Sequence, residues 1–136
     1  MTRMTDLIHN SKSVVVAHPQ AVATAGDVDG AIIDTQGFYS LLLEVALGET
    51  ASSKVKIKSL KESDNSDMSD SSDVPESQLV GLAVGTDIAT IKTMDRLNVI
   101  PTKRYVQPVF TTTTNGAVFG ATAVLFGADI DGKINE

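Results

Sequence analysis

The chain has 136 residues, 42% of them apolar, with two Tyr, four Phe, no Trp and no Cys, which fits one domain whose core is built from Val, Ile, Leu and Ala. The absence of Cys excludes disulfides, thiolate zinc sites and cysteine nucleophiles, and His9 and His18 are too few for a His-rich metal site. The net charge of −6 is concentrated in residues 62–77, which hold Glu62, Asp64, Asp67, Asp70, Asp73 and Glu76 without a base; the neutral remainder has no basic face for nucleic acid.

In chain order, Met4, Leu7 and Ile8 are helically spaced behind the caps Thr5 and Asp6, so residues 1–12 are expected to form an arm or short helix. Its apolar stretch is too short for a signal peptide, and no apolar run approaches the roughly 18 residues of a membrane span, so a soluble, unexported protein is expected. Val14-Val15-Val16 reads as a strand limited by Pro19, with His18 at the strand end rather than in a ligand set. Gly26-Asp27-Val28-Asp29-Gly30 reads as a turn whose aspartates bond locally rather than hold a metal, and residues 31–35 as the strand after it.

Residues 39–47 alternate with period two, placing Tyr39, Leu41, Leu43, Val45 and Leu47 on one face and Ser40, Leu42, Glu44 and Ala46 on the other. Residues 54–58 do the same, with Val55 and Ile57 inward and Lys54, Lys56 and Lys58 outward as guards of an exposed edge. Residues 62–77 carry only Met68 and Val74 as apolar side chains, too little to offset the entropy of ordering, so a mobile acidic loop is expected. A calcium loop started at Asp64 puts Ser69 where Gly is needed and Pro75 where the last carboxylate belongs, which argues against calcium. Apolar stretches at residues 79–84, 88–94 and 97–100 follow.

Residues 103–126 place two strand-like runs on either side of Asn115-Gly116, the signature of a type I′ hairpin. That register sets Val106, Pro108, Phe110 and Thr112 against Leu125, Ala123, Ala121 and Phe119 on an apolar face. The opposite face sets Tyr105 against Phe126, Gln107 against Val124, and Val109 against Thr122. It is too apolar to be wetted, which makes Tyr105, Val109, Val124 and Phe126 the candidate partner interface. Pro108, with no N–H to donate, points to an edge strand or a bulge.

No segment keeps a helical period for three turns. The expected fold is therefore all-β: a single-domain antiparallel β-sandwich, jelly-roll-like, with about eight short strands over residues 13–127 and a tail at 128–136. Gly127 to Lys133 has phosphate-loop spacing, but Ile134 stands where a Ser or Thr is required. With no G-x-S-x-G, H-E-x-x-H or G-x-G-x-x-G, the chain reads as non-enzymatic, without catalytic residues, cofactor or metal. The shortage of aromatic platforms weighs against a carbohydrate-binding sandwich, the least favoured alternative.

The stretches Ile33-Asp34-Thr35-Gln36-Gly37-Phe38-Tyr39-Ser40-Leu41, Ala46-Leu47-Gly48, Leu60-Lys61-Glu62-Ser63-Asp64, Lys103-Arg104-Tyr105-Val106-Gln107-Pro108-Val109 and Ala121-Thr122-Ala123-Val124-Leu125 stand in this order. The pattern resembles a family of tailed-bacteriophage virion proteins in which I-D-T-x-G-F-x-S, Q-E-S-D and K-R-Y-V-R-P-V blocks recur, a family associated with capsid cement or decoration. The resemblance implies a homo-oligomer, a trimer, that binds the major capsid protein on the outside of the virion and stabilises the lattice. A tail or neck component is the alternative within the virion. Gln107 stands where the family block has its second Arg, and the acidic loop is long and lacks the usual aromatic.

Overall fold

Period-two alternation becomes strand throughout the computed structural model, which describes residues 7–48, 54–88, 94–112 and 117–128. The elements are a helical turn α1 (Leu7–Asn10), then β1 (Ser11–Val22), β2 (Gly26–Asp29), β3 (Ile33–Asp34), β4 (Phe38–Leu47), β5 (Val55–Ser63) and β6 (Ser72–Asp73). A 3₁₀ turn (Glu76–Gln78) leads to β7 (Leu79–Gly81), β8 (Met94–Val99), β9 (Tyr105–Thr112) and β10 (Ala117–Ala128). One sheet, called A, has the order β1-β10-β4-β8-β7; sheet B has the order β2-β9-β5-β6, with β3 also on β9. The ladders are antiparallel. The all-β sandwich of the sequence is thus the fold, with ten strands among the described residues rather than eight; β3 and β6 are two-residue strands too short to show a period.

The core lies between the sheets. Leu41, Leu43, Val45 and Leu47 of β4, Leu97 and Val99 of β8, and Phe119, Ala121, Ala123 and Leu125 of β10 face it from sheet A, while Val55, Ile57, Leu60, Val106 and Phe110 face it from sheet B. Phe110 and Phe119 meet across the layers with ring centroids 5.4 Å apart and planes tilted by 55°, a favourable aromatic geometry.

The expected hairpin is not formed. β9 pairs with β2, β3 and β5 in sheet B, and β10 pairs with β1 and β4 in sheet A, so the two runs face each other across the core. Asn115-Gly116 lies outside the described residues. The inward set is nevertheless the expected one: Val106, Pro108, Phe110, Thr112, Phe119, Ala121, Ala123 and Leu125 are all buried. Alternation records which side chains point inward; it carries the same signal whether the opposite strand lies beside a strand or above it.

Pro108 sits in the central strand of sheet B, not at an edge. Its carbonyl accepts from Gly30 N at 2.8 Å, so its missing N–H faces the same side, where the neighbouring strand is interrupted between β2 and β3. Gly30 fits that gap because a Cβ would lie 2.7 Å from the Pro108 carbonyl oxygen.

Other expectations move as well. Gly26-Asp27-Val28-Asp29 is strand β2 rather than a turn, because pairing with β9 overrides the turn preference of Gly and Asp. β6 covers β5 only at Lys61 and Glu62; beside residues 54–58 the side away from β9 has no strand and is met only by Gly85 and Ile88 among the described residues, so the lysines stand on the outer face along that edge. The arm gives way to β1 at Ser11, and the tail to β10 through Ala128. The acidic loop is narrower than 62–77: Glu62 and Ser63 end β5, Ser72 and Asp73 pair back onto it, and Val74 joins the core. Between them the acidic and amide side chains are local acceptors and donors, with Ser69 N donating to Asp67 Oδ1 at 3.0 Å and Asn65 Nδ2 to Asp70 Oδ1 at 3.1 Å.

Candidate interaction surfaces

Separating β9 from β10 divides the candidate interface. Tyr105 and Val109 lie on the outer face of sheet B, and Val124 and Phe126 on the outer face of sheet A. The four residues do not form one patch.

The outer face of sheet B is charged. Lys58 Nζ lies 2.6 Å from Asp27 Oδ2, and Lys61 Nζ lies 3.4 Å from Asp73 Oδ1. The hydrogen bond from Lys58 holds the Asp27 carboxyl below its usual pKa, so Asp27 has a cationic partner within the chain. Among the described residues no group of three His, Cys, Asp or Glu could hold a metal ion.

The outer face of sheet A is different. The ladder registers align Val15, Thr122, Glu44 and Arg96 in one row, Ser13, Val124, Leu42, Asn98 and Val80 in the next, and Ser11, Phe126 and Ser40 in a third. Val15, Val80 and Met94 are 60%, 66% and 46% exposed, and Leu42, Val124 and Phe126 are half-buried by their neighbours. The pair Glu44 and Arg96, 3.6 Å apart, crosses this face, where Ser11, Ser13, Ser40, Asn98 and Thr122 are interspersed with the apolar side chains. Sequence pattern does not reveal Leu42, Val15, Met94 and Val80 as members of this face, because they join Val124 only when β10 is placed next to β4 and β1.

The three sequence blocks meet at one corner. Ile33 and Asp34 pair with Val106 and Tyr105. The Asp34 carboxylate accepts from Arg104 Nε and Nη2, both at 2.9 Å, and this two-pronged bond holds its pKa below the usual value. Arg104 lies 5.0 Å from the centroid of the Tyr105 ring. Thr35 donates twice to the Arg104 carbonyl, from N at 2.8 Å and Oγ1 at 2.6 Å. Glu62, only 3% exposed, accepts from Thr102 N at 3.1 Å and Thr102 Oγ1 at 2.9 Å. These groups bond to one another inside the chain, so the corner ties three strand ends together.

Gln107 belongs to the same arrangement. Its Nε2 donates to Gly30 O at 2.9 Å, and it stands opposite Lys61 across the ladder.

Among the described residues no helix is long and apolar enough to cross a membrane. No family model matches the chain, and no curated protein matches it. Among solved structures it is similar to the SPBc2 prophage-derived protein YomS, with 12% identity over 85% of this chain and 92% of that one, at a TM-score of 0.49.

Proposed function

We propose that this chain is a non-enzymatic structural protein of a tailed-bacteriophage virion that binds the major capsid protein as a cement or decoration protein and acts as a homo-oligomer. The observation that carries the reading is the outer face of sheet A, where Val15, Leu42, Val80, Met94, Val124 and Phe126 share one side of a five-stranded sheet with small polar residues and a single ion pair among the described residues. Burying such side chains contributes roughly 1.5–3 kcal/mol each, and contiguous apolar surface marks contact sites. The three blocks that carry the resemblance also support it, since they are in mutual contact and specify one corner of the fold.

Immunogold labelling of gradient-purified particles tests the reading. Gold distributed over the head is the expected result. Gold confined to the tail or neck replaces cement with the other virion role, and protein found only in the particle-free supernatant overturns a virion role altogether.

A further inference from the structure

The charge pattern on the outer face of sheet A fits a second copy of the same face. Glu44 on β4 and Arg96 on β8 stand opposite each other in the ladder, 3.6 Å apart, and form the acid–base pair of this face among the described residues. Their side chains are 23% and 62% exposed, and an ion pair so close to water is worth little. A partner that covers the face removes that water, and a covered charge is tolerated only when opposite charges surround it.

Aligned sheets pack face to face about 10 Å apart with their strands within about 30° of each other, so the ladder register shows what each two-fold placement stacks. An axis running across the strands keeps every residue over its own strand, and Glu44 then never meets Arg96. An axis along β4 sets Glu44 over its own counterpart, and one along β8 does the same to Arg96. An axis between β10 and β4 sets Glu44 over Thr122 and Arg96 over Val15, which leaves both covered charges without an opposite across the interface. An axis between β4 and β8 stacks Glu44 of each copy over Arg96 of the other, Met94 over Ala46, and Val124 over Val80. Four charges then alternate in sign around the axis, flanked by a large side chain over a small one and by valine over valine.

We propose that the chain forms a two-fold pair through the outer face of sheet A, with the axis between β4 and β8 and the Glu44 and Arg96 charges shared between the copies. The inference rests on reading this face as a contact surface and names its occupant as a second copy; the pair differs from the trimer that the resemblance implies. The overlapping strands project to roughly 400 Å² on each copy, which places the contact at the small end of specific interfaces, about 600 Å² of accessible surface per partner. Copies in so small a contact exchange readily.

The test is sedimentation of the full chain over a series from micromolar to millimolar concentration, where the wild type should show a reversible monomer–dimer equilibrium. Glu44→Arg gathers only cations at the axis and Arg96→Glu only anions, so each alone should weaken dimerisation at least about tenfold, the scale expected when an attraction between opposite charges becomes a repulsion between like ones. Mixed in equal amounts, the two variants should associate again, because each copy presents the charges that the other lacks. A pair acting only within its own chain gives no such rescue, since mixing cannot restore a bond inside either variant. Thermal melts of the variants are recorded first, and Glu44→Lys and Arg96→Asp, which carry the same charges, take over where a variant does not melt cooperatively. A wild type that stays monomeric at millimolar concentration, a trimeric mass, single variants that associate like wild type, or variants that do not regain association on mixing would each overturn the two-fold pair. None of these outcomes changes where gold labels the particle, so the virion reading stands or falls separately.

Discussion

Glu62 shows how a residue in an acidic stretch becomes structural. It continues the alternation of β5 inward, and at the end of the sandwich the group it meets is Thr102, whose backbone N–H and hydroxyl it accepts. Glu62→Ala takes both acceptors from Thr102, which is itself exposed and can turn to water, so the cost in urea unfolding should be that of a typical net hydrogen bond, roughly 0.5–1.5 kcal/mol. Asp34 acts through charge instead. Its folded pKa is depressed by the Arg104 hydrogen bond, so its contribution is present above the unfolded carboxyl pKa and is lost as pH falls through the folded value. The stability gap between wild type and Asp34→Asn should therefore be full at neutral pH and close in acid, below the ordinary carboxylate range. A gap that does not change with pH would show that shape, not charge, holds β3 to β9.

Among the elements, the connection from β5 to β7 divides into parts of unequal weight. Residues 64–71 bond mostly to one another, whereas Ser72 and Asp73 pair with β5 and Val74 is buried. Replacing 64–71 with a short Gly/Ser link should shift stability by less than about 1 kcal/mol, since closure entropy changes by only about 0.6 kcal/mol per doubling of length. Extending the replacement through Val74 should cost a further ~1.5–3 kcal/mol, because a buried valine side chain is removed from the core. Equal costs for the two deletions would show that the acidic turn is itself docked.

For the whole molecule, the two outer faces make opposite predictions from similar substitutions. Val124→Glu puts a carboxylate beside Leu42, in the row that runs on through Asn98 to Val80, and should weaken self-association and retention on particles while the chain stays folded. Val109→Glu lies among Asp29, Ser59 and the lysines of sheet B and should leave assembly unchanged. Sedimentation of both variants beside wild type reads the difference. If Val109→Glu dissociates the oligomer and Val124→Glu does not, the working face is sheet B.

Much of this was legible in the chain itself. Period-two alternation in residues 39–47, 54–58 and 103–126 determined the fold class and the inward residues, because a side chain's direction in a strand is set by its neighbours in sequence. The three blocks and the confinement of negative charge to one connection were equally local. What the tertiary structure alone decided was which strands lie side by side. Asn115-Gly116 favours a hairpin, but ladder partners are chosen by long-range burial: β10 is paired along both edges once it enters sheet A, between β1 and β4, and β9 fills the centre of sheet B. That choice parted Tyr105 and Val109 from Val124 and Phe126 and gathered Val15, Leu42, Val80 and Met94 around the latter pair, since a surface made by several strands has no pattern within any one of them.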